Sequence, residues 1–214
     1  VYKRQAFESV DMGNIYHTAL ERYSRKLEQS EYDWFVVPDA VRRQMAENAM
    51  QEAIAGYPGM AVCDTAENAY QRKRMLAIFD QTVWALTRQV RAGQFVPEKF
   101  EKSFIFEQNG MKIVGKIDRI DIARADDRSY VKIIDYKSGK RTLDLGRIYD
   151  GLSLQLMVYL YSLMKDNEPG AAMYYNIDNP IVDYKEGVSA EDGILSSLQP
   201  QGIVNSDSTV LKLL

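Results

Sequence analysis

From Gly115 to Gly139 the chain carries two alternating runs, Gly-Lys-Ile-Asp-Arg-Ile-Asp and Val-Lys-Ile-Ile-Asp-Tyr-Lys-Ser-Gly, separated by a polar interval. A period of two is the signature of extended strands, whose side chains change face at every residue. Asp135 and Lys137 therefore project to one face and Tyr136 to the other. The apolar run Val131, Ile133 and Ile134 ahead of Asp135 marks this strand as interior, where charge is rarely tolerated without a partner or a metal. If the strand bearing Asp118 lies alongside, two carboxylates and an ammonium share one small space. Two arrangements satisfy that chemistry. One is a same-face ion pair on an ordinary sheet; the other is a pair of hard oxygen ligands for a divalent cation, with a lysine beside the attacking water.

The rest of the chain changes period once. Ile15, Ala19, Leu20, Tyr23 and Leu27 recur at helical spacing between about Asp11 and Glu28, with Ser9 or Asp11 available as a cap. Pro38 and Asp39 open a second helix that runs to about Ala55 and is stopped by Gly56, Pro58 and Gly59. Thr65 to Arg91 forms a long amphipathic helix through Ala69, Met75, Leu76, Phe79, Val83, Leu86 and Val90. After Pro97 the pattern alternates: Phe100 to Phe106, a hairpin turn at Gln108-Asn109-Gly110, Met111 to Ile122, a loop over Arg124 to Ser129, and Tyr130 to Tyr136. These read as three antiparallel strands in succession. Helical spacing returns over Leu145 to Lys165, a strand over Ala171 to Asn176 completes a mixed sheet, and beyond Pro180 only a short helix at Ala190 to Leu198 is expected.

With 214 residues the chain can bury a substantial core. It is expected to form a single domain over residues 1–214, and it is too short to hold a helicase motor as well. No apolar run approaches the roughly 20 residues that cross a bilayer, so no membrane partner is expected. A net charge of -3 argues against indiscriminate polyanion binding, yet basic residues cluster. Arg42 with Arg43 and Arg72 to Arg74 read as solvated helix faces, whereas Lys137, Lys140, Arg141 and Arg147 adjoin the carboxylates and would meet phosphates. The chain opens Val-Tyr-Lys-Arg-Gln, without an initiator Met or a signal pattern, and is expected to be a piece of a longer protein. Its lone Cys63 fits a reducing compartment, the expectation being the bacterial cytoplasm. No Gly-x-x-x-x-Gly-Lys-Ser/Thr loop occurs, so any ATP-driven step is expected elsewhere.

Gln155 and Tyr159 lie four apart within the expected Leu152 to Tyr161 helix and share one face, a spacing that serves packing as readily as chemistry. In chain order, Asp-Met-Gly-Asn-Ile-Tyr-His-Thr-Ala-Leu at 11–20, Gly-Lys-Ile-Asp-Arg-Ile-Asp at 115–121, Ile-Asp-Tyr-Lys-Ser-Gly at 134–139 and Gly-Leu-Ser-Leu-Gln-Leu-Met-Val-Tyr-Leu-Tyr at 151–161 carry a resemblance. Together they resemble the RecB-like branch of the PD-(D/E)XK nucleases, and within it the AddB-type domains of bacterial helicase-nucleases. The likeness covers residues 11–178.

The resemblance implies an α/β, restriction-endonuclease-like fold: a mixed sheet of four or five strands flanked by helices, behind a helical N-terminal half. It implies a magnesium-dependent DNA exonuclease, with manganese able to substitute, that digests a single strand alongside an AddA-type partner in double-strand-break repair and recombination. Asp118 and Asp135 would be metal ligands, joined by His17 and the Tyr136 carbonyl. Lys137 would activate the attacking water, Gln155 and Tyr159 would position it or the DNA, and Arg119, Lys140 and Arg141 would bind substrate. Ile117 stands where many relatives have Pro. AddB-type domains also hold a 4Fe-4S cluster on four cysteines; with Cys63 alone this chain cannot hold one by itself, so the cluster is expected only in the longer parent. Two further readings remain open at this stage. One is a stand-alone RecB-like exonuclease of the CRISPR-associated type. The other is a non-catalytic DNA-binding or docking module, whose expected signature, loss of Asp118, Asp135 or Lys137, is not met.

Overall fold

A computed structural model of the chain describes residues 9–57, 66–108, 110–183 and 186–214. Cys63, the Pro58 and Gly59 helix stop and Asn109 of the hairpin turn lie outside them. The chain divides into two compact units, Val1–Arg88 with Ile177–Leu198, and Gln89–Asn176 with Gln199–Leu214.

The first unit is helical. It holds α1 (Ser9–Glu28), α2 (Asp39–Ala55), most of α3 (Ala66–Ala92) and α6 (Ala190–Ser197). The helical stripe of α1 is its buried stripe, with Ile15, Ala19 and Tyr23 fully inaccessible, and α2 presents Ala46, Ala49, Met50 and Ala53 in the same way. Burying each large apolar side chain contributes roughly 1.5–3 kcal/mol. Asp11 lies inside α1 rather than capping it, and its carboxylate accepts the Tyr57 hydroxyl at 2.8 Å. Arg42 departs from the solvated role expected of it. It is 1% exposed and donates to the Asp80 carbonyl at 3.1 Å and carboxylate at 2.8 Å, a buried guanidinium compensated by α3.

The second unit is built on a five-stranded sheet, β1 (Val96–Gln108), β2 (Met111–Ala125), β3 (Arg128–Lys137), β4 (Glu168–Asn176) and β5 (Gln201–Val204), in spatial order β1-β2-β3-β4-β5. The first three strands are antiparallel in succession, β4 is parallel to β3, and β5 is antiparallel to β4. The sheet is mixed. Instead of a loop from Arg124 to Ser129, the second hairpin turns on Asp126 and Asp127 alone, with φ of 50° and 58° and Ala125 paired to Arg128. Two successive positive φ values are the hairpin turn whose twist matches its strands, and Asp tolerates them.

The expected single helix over Leu145–Lys165 is two, α4 (Leu145–Tyr149) and α5 (Gln155–Leu163). Gly151, at φ 74°, closes α4 with its N–H on the Ile148 carbonyl, and the N–H of Leu152 returns to Arg147. This is the left-handed terminus that favours glycine. Against one face of the sheet, α5 packs Leu156 and Tyr159 onto Ile120, Ile122, Val131, Ile133 and Ala172. Against the other, α7 (Ser208–Leu213) places Val210 and Leu213 on Phe95, Ala123 and Tyr130. Neither β5 nor α7 is foreseen by periodicity: four and six residues are too few to display one. Gly115 is required by a close approach, since a Cβ there would stand 2.6 Å from the Phe104 ring, which in turn packs edge-on to Tyr159 at 5.2 Å.

Candidate active site

The site forms where the sheet forks. The β2–β3 ladder ends at Arg119↔Ile134, while β2 continues against β1 and β3 continues against β4 as far as Lys137. One step past that last pair, the register brings Asp118 opposite Asp135. On the other side of β2 the ladder passes from Phe100↔Arg119 to Lys102↔Ile117, which leaves Glu101 opposite Asp118. Three acidic residues on three adjacent strands thus occupy one row. Carboxylate oxygens of Glu101 and Asp118 lie within 4.8 Å of one another. Asp118 also accepts the Tyr136 N–H at 2.7 Å, which ties it to the neighbouring strand. Glu101 holds φ at 49°, a left-handed conformation unusual for a residue other than glycine, and its side chain is 9% exposed and ion-paired with Lys116.

Lys137 shares the face of Asp135, its Nζ 2.5 Å from Asp135 Oδ2. The ammonium also donates to Gln155 Oε1 at 3.3 Å, and Gln155 Nε2 donates to the Tyr159 hydroxyl at 2.8 Å. Because the amide nitrogen is engaged by Tyr159, the amide oxygen is the end that faces Lys137. Burial, chiefly, raises the Tyr159 hydroxyl above the ordinary tyrosine range, so the hydroxyl keeps its proton. Beneath the ammonium lies the Tyr174 ring, 5.6 Å to its centroid.

Arg119 and Tyr136 point to the opposite face. Arg119 is 1% exposed and grips Asp121 through two bonds, Nε to Oδ1 at 2.6 Å and Nη2 to Oδ2 at 2.9 Å. Lys132 lies 3.2 Å from the same carboxylate, and burial lowers the Lys132 ammonium below its ordinary value although Asp121 opposes this. Arg119 is thus placed away from the carboxylate row. Lys140 and Arg141 are exposed and, with Arg147, Leu143, Tyr174 and Gln155, line a cleft of about 410 Å³. Asn176 holds its wall through two bonds to the Arg141 backbone, each 2.9 Å. Since Gln155 belongs to both, the basic cleft opens beside the Lys137 ammonium. His17 is half-buried on α1, in the other unit.

Nothing in its local sequence singles out Glu101. Its position follows from the hairpin register: Glu101 and Asp118 each stand seven residues from the closing pair Gln108↔Met111, one residue tighter than the turn expected at Gln108-Asn109-Gly110, and residues opposite each other in an antiparallel pair face the same way. Among the described residues, no helix is long and apolar enough to cross a membrane.

The chain is similar to known proteins along nearly its whole length. Residues 3–206 match the profile of the PD-(D/E)XK nuclease superfamily. The B subunit of the ATP-dependent helicase/deoxyribonuclease of Lachnoclostridium phytofermentans is 36% identical over 213 residues, which is 95% of this chain and 18% of that protein. The protein of the same name from Alkaliphilus metalliredigens is 30% identical over 233 residues, 98% of this chain and 20% of that protein. A third, from Clostridium acetobutylicum, is 28% identical over 94% of this chain and 20% of its own length. The chain spans about one fifth of the length of these curated relatives.

Proposed function

The chain belongs to the PD-(D/E)XK nuclease superfamily, and on that premise we propose that it is a DNA nuclease domain that hydrolyses phosphodiester bonds with a divalent cation. The observation that carries this reading is the row of Glu101, Asp118 and Asp135 at the fork of three strands, with Lys137 on the same face. The donor set fits the cation. Carboxylate oxygens are what magnesium and manganese prefer, and those of Glu101 and Asp118 already converge. Glu101, Asp118 and Asp135 would hold the cation, with the Tyr136 carbonyl and, on the strength of its motif, His17 as further ligands. When bound, the cation supplies Lewis-acid polarisation of the phosphate and lowers the pKa of a water.

The chain's own groups do the rest. Lys137, anchored to both Asp135 and Gln155, aligns the attacking water and offsets negative charge that develops on the phosphate oxygens. Tyr159 fixes the Gln155 amide, so the ammonium stays aimed at the carboxylates rather than rotating into solvent. Lys140, Arg141 and Arg147 along the adjoining cleft take the phosphates of the strand on one side of the cut.

Relatives named as helicase/deoxyribonuclease subunits favour action within a bacterial helicase-nuclease over a stand-alone exonuclease. In that setting the domain cuts a single strand delivered by an AddA-type motor partner in the cytoplasm during break repair and recombination, by exonuclease action. The test is magnesium-dependent cleavage of a labelled single strand by the parent, Asp135→Ala and Lys137→Ala proteins. Each variant is expected to lose about 10³-fold or more in rate, roughly 4 kcal/mol of transition-state stabilisation, with its circular dichroism unchanged. Undiminished cutting by both would put the active centre elsewhere.

A further inference from the structure

Asp118 and Arg119 are consecutive on β2, point to opposite faces of the sheet, and both act on the same residue of β3. Asp118 accepts the backbone N–H of Tyr136 at 2.7 Å, and on the other face the charge of the buried Arg119 guanidinium acts on the Tyr136 hydroxyl. The Asp118 bond lies just past the last backbone pair, Arg119↔Ile134, so a side chain continues the junction of the two strands at the mouth of the site. The reverse side is held in its turn. Arg119 is locked in a two-bond fork to Asp121, Lys132 joins that carboxylate, and the Tyr136 ring meets Tyr175 edge-on at 6.1 Å. Arg119, Asp121 and Tyr136 are each 3% exposed or less.

Burying an arginine, an aspartate and most of a lysine is a poor route to stability, because desolvation offsets much of their attraction and apolar side chains of similar size would pack as well. What such a cluster does supply is a unique geometry. We propose that Tyr136 is a positioning residue for the carboxylate row: buried on the reverse face against Tyr175 and within the field of the Arg119–Asp121 pair, it presents its backbone N–H so that Asp118 is held in one rotamer facing Asp135. The inference rests on the nuclease reading. It adds three residues, Arg119, Asp121 and Tyr136, that act through Asp118 without touching substrate or cation by their side chains.

Tyr136→Phe keeps the ring and removes only the hydroxyl that lies in the field of Arg119; Arg119→Lys keeps the charge and loses the fork to Asp121. Two readouts need no DNA. Amide hydrogen exchange at position 136, with no metal present, is expected to quicken about tenfold in either variant while Ile133 on the same strand is unchanged. Calorimetric titration with Mn²⁺ alone is expected to show about tenfold weaker binding, as for other groups that orient a ligand from behind. In cleavage assays kcat should fall with KM for DNA unaltered. Should Arg119→Lys fail to fold, Tyr136→Phe decides. Exchange and Mn²⁺ affinity equal to the parent's in Tyr136→Phe would overturn the positioning role and leave the nuclease reading standing. A parent protein that neither binds Mn²⁺ nor cuts DNA would overturn both.

Discussion

Glu101 and Asp118 face each other across the β1–β2 hairpin, equidistant from its turn, with carboxylate oxygens within 4.8 Å. Two acids this close repel one another unless a cation or a proton lies between them. Glu101 also accepts a left-handed backbone, φ 49°, which costs a non-glycine residue roughly 1–2 kcal/mol. Lys116 offsets part of that repulsion, and under the proposed function a bound cation would offset the rest.

Glu101→Gly should therefore separate stability from function. Relief of the backbone offsets the lost Lys116 ion pair, so unfolding free energy is expected to stay level or rise by about 1 kcal/mol, while the magnesium concentration needed for half-maximal cleavage rises about tenfold. Glu101→Gln, which keeps the strain and loses the charge, should show the metal effect without the gain. Denaturant titration and a magnesium series decide this; an unaltered magnesium requirement in both variants would remove Glu101 from the site.

The relay from Lys137 through Gln155 to Tyr159 predicts graded effects. Gln155→Ala deletes one of the two anchors of the ammonium and is expected to lower kcat about tenfold, with KM for DNA little changed. Tyr159→Phe preserves the edge-on contact with Phe104 and removes one hydrogen bond. It should cost about 1 kcal/mol in stability and only a few-fold in kcat. A larger kcat loss in Tyr159→Phe than in Gln155→Ala would reverse the proposed order.

Arg147, on the wall of the basic cleft, is expected to contact a phosphate rather than a base. Arg147→Ala should weaken single-strand binding evenly across sequences. The slope of log affinity against log salt should fall in magnitude by about 0.7, the value for one released counterion on a single strand. Fluorescence anisotropy across a salt series measures it, and a slope equal to the parent's would exclude the contact.

Alkaline pH should unfold the protein through its tyrosines. Burial pushes the Tyr16 and Tyr136 hydroxyls up to about 12, with Arg74 and Arg119 respectively opposing it. The folded chain thus keeps protons that the unfolded chain releases from about pH 10. Unfolding then releases protons, so stability present below pH 10 is lost as pH climbs towards 12. Lys132, lowered mainly by burial, acts in the opposite sense at somewhat lower pH, where the unfolded chain binds the extra proton and stability rises with pH. Chemical denaturation over an alkaline series should show the decline, flattened in Tyr16→Phe and Tyr136→Phe. A stability independent of pH from 10 to 12 would contradict the linkage.

Much of the site was readable because strand geometry is local. Alternation alone decides that Asp135 and Lys137 share a face and that Tyr136 and Arg119 do not lie on it, and the three long helices show their buried stripes over enough turns to declare a period. The Asp126-Asp127 turn was less readable, since a tight hairpin and a longer polar loop have the same composition; only the pairing of Ala125 with Arg128 separates them. The break between α4 and α5 was hidden because apolar spacing continues across Gly151.

By itself, then, the amino-acid order determined the type of the long elements and which residues within a strand share a face. Tertiary structure decided where the β2–β3 ladder stops and opens a mouth, that Gln155, 18 residues on, reaches Lys137, that Arg42 is buried against Asp80, and that the short β5 completes the sheet beside β4. The physical reason is the range of the forces. Backbone geometry is set within a few residues, whereas a fork in a sheet, a buried ion pair or a four-residue edge strand depends on distant segments whose contacts are individually weak and act only together.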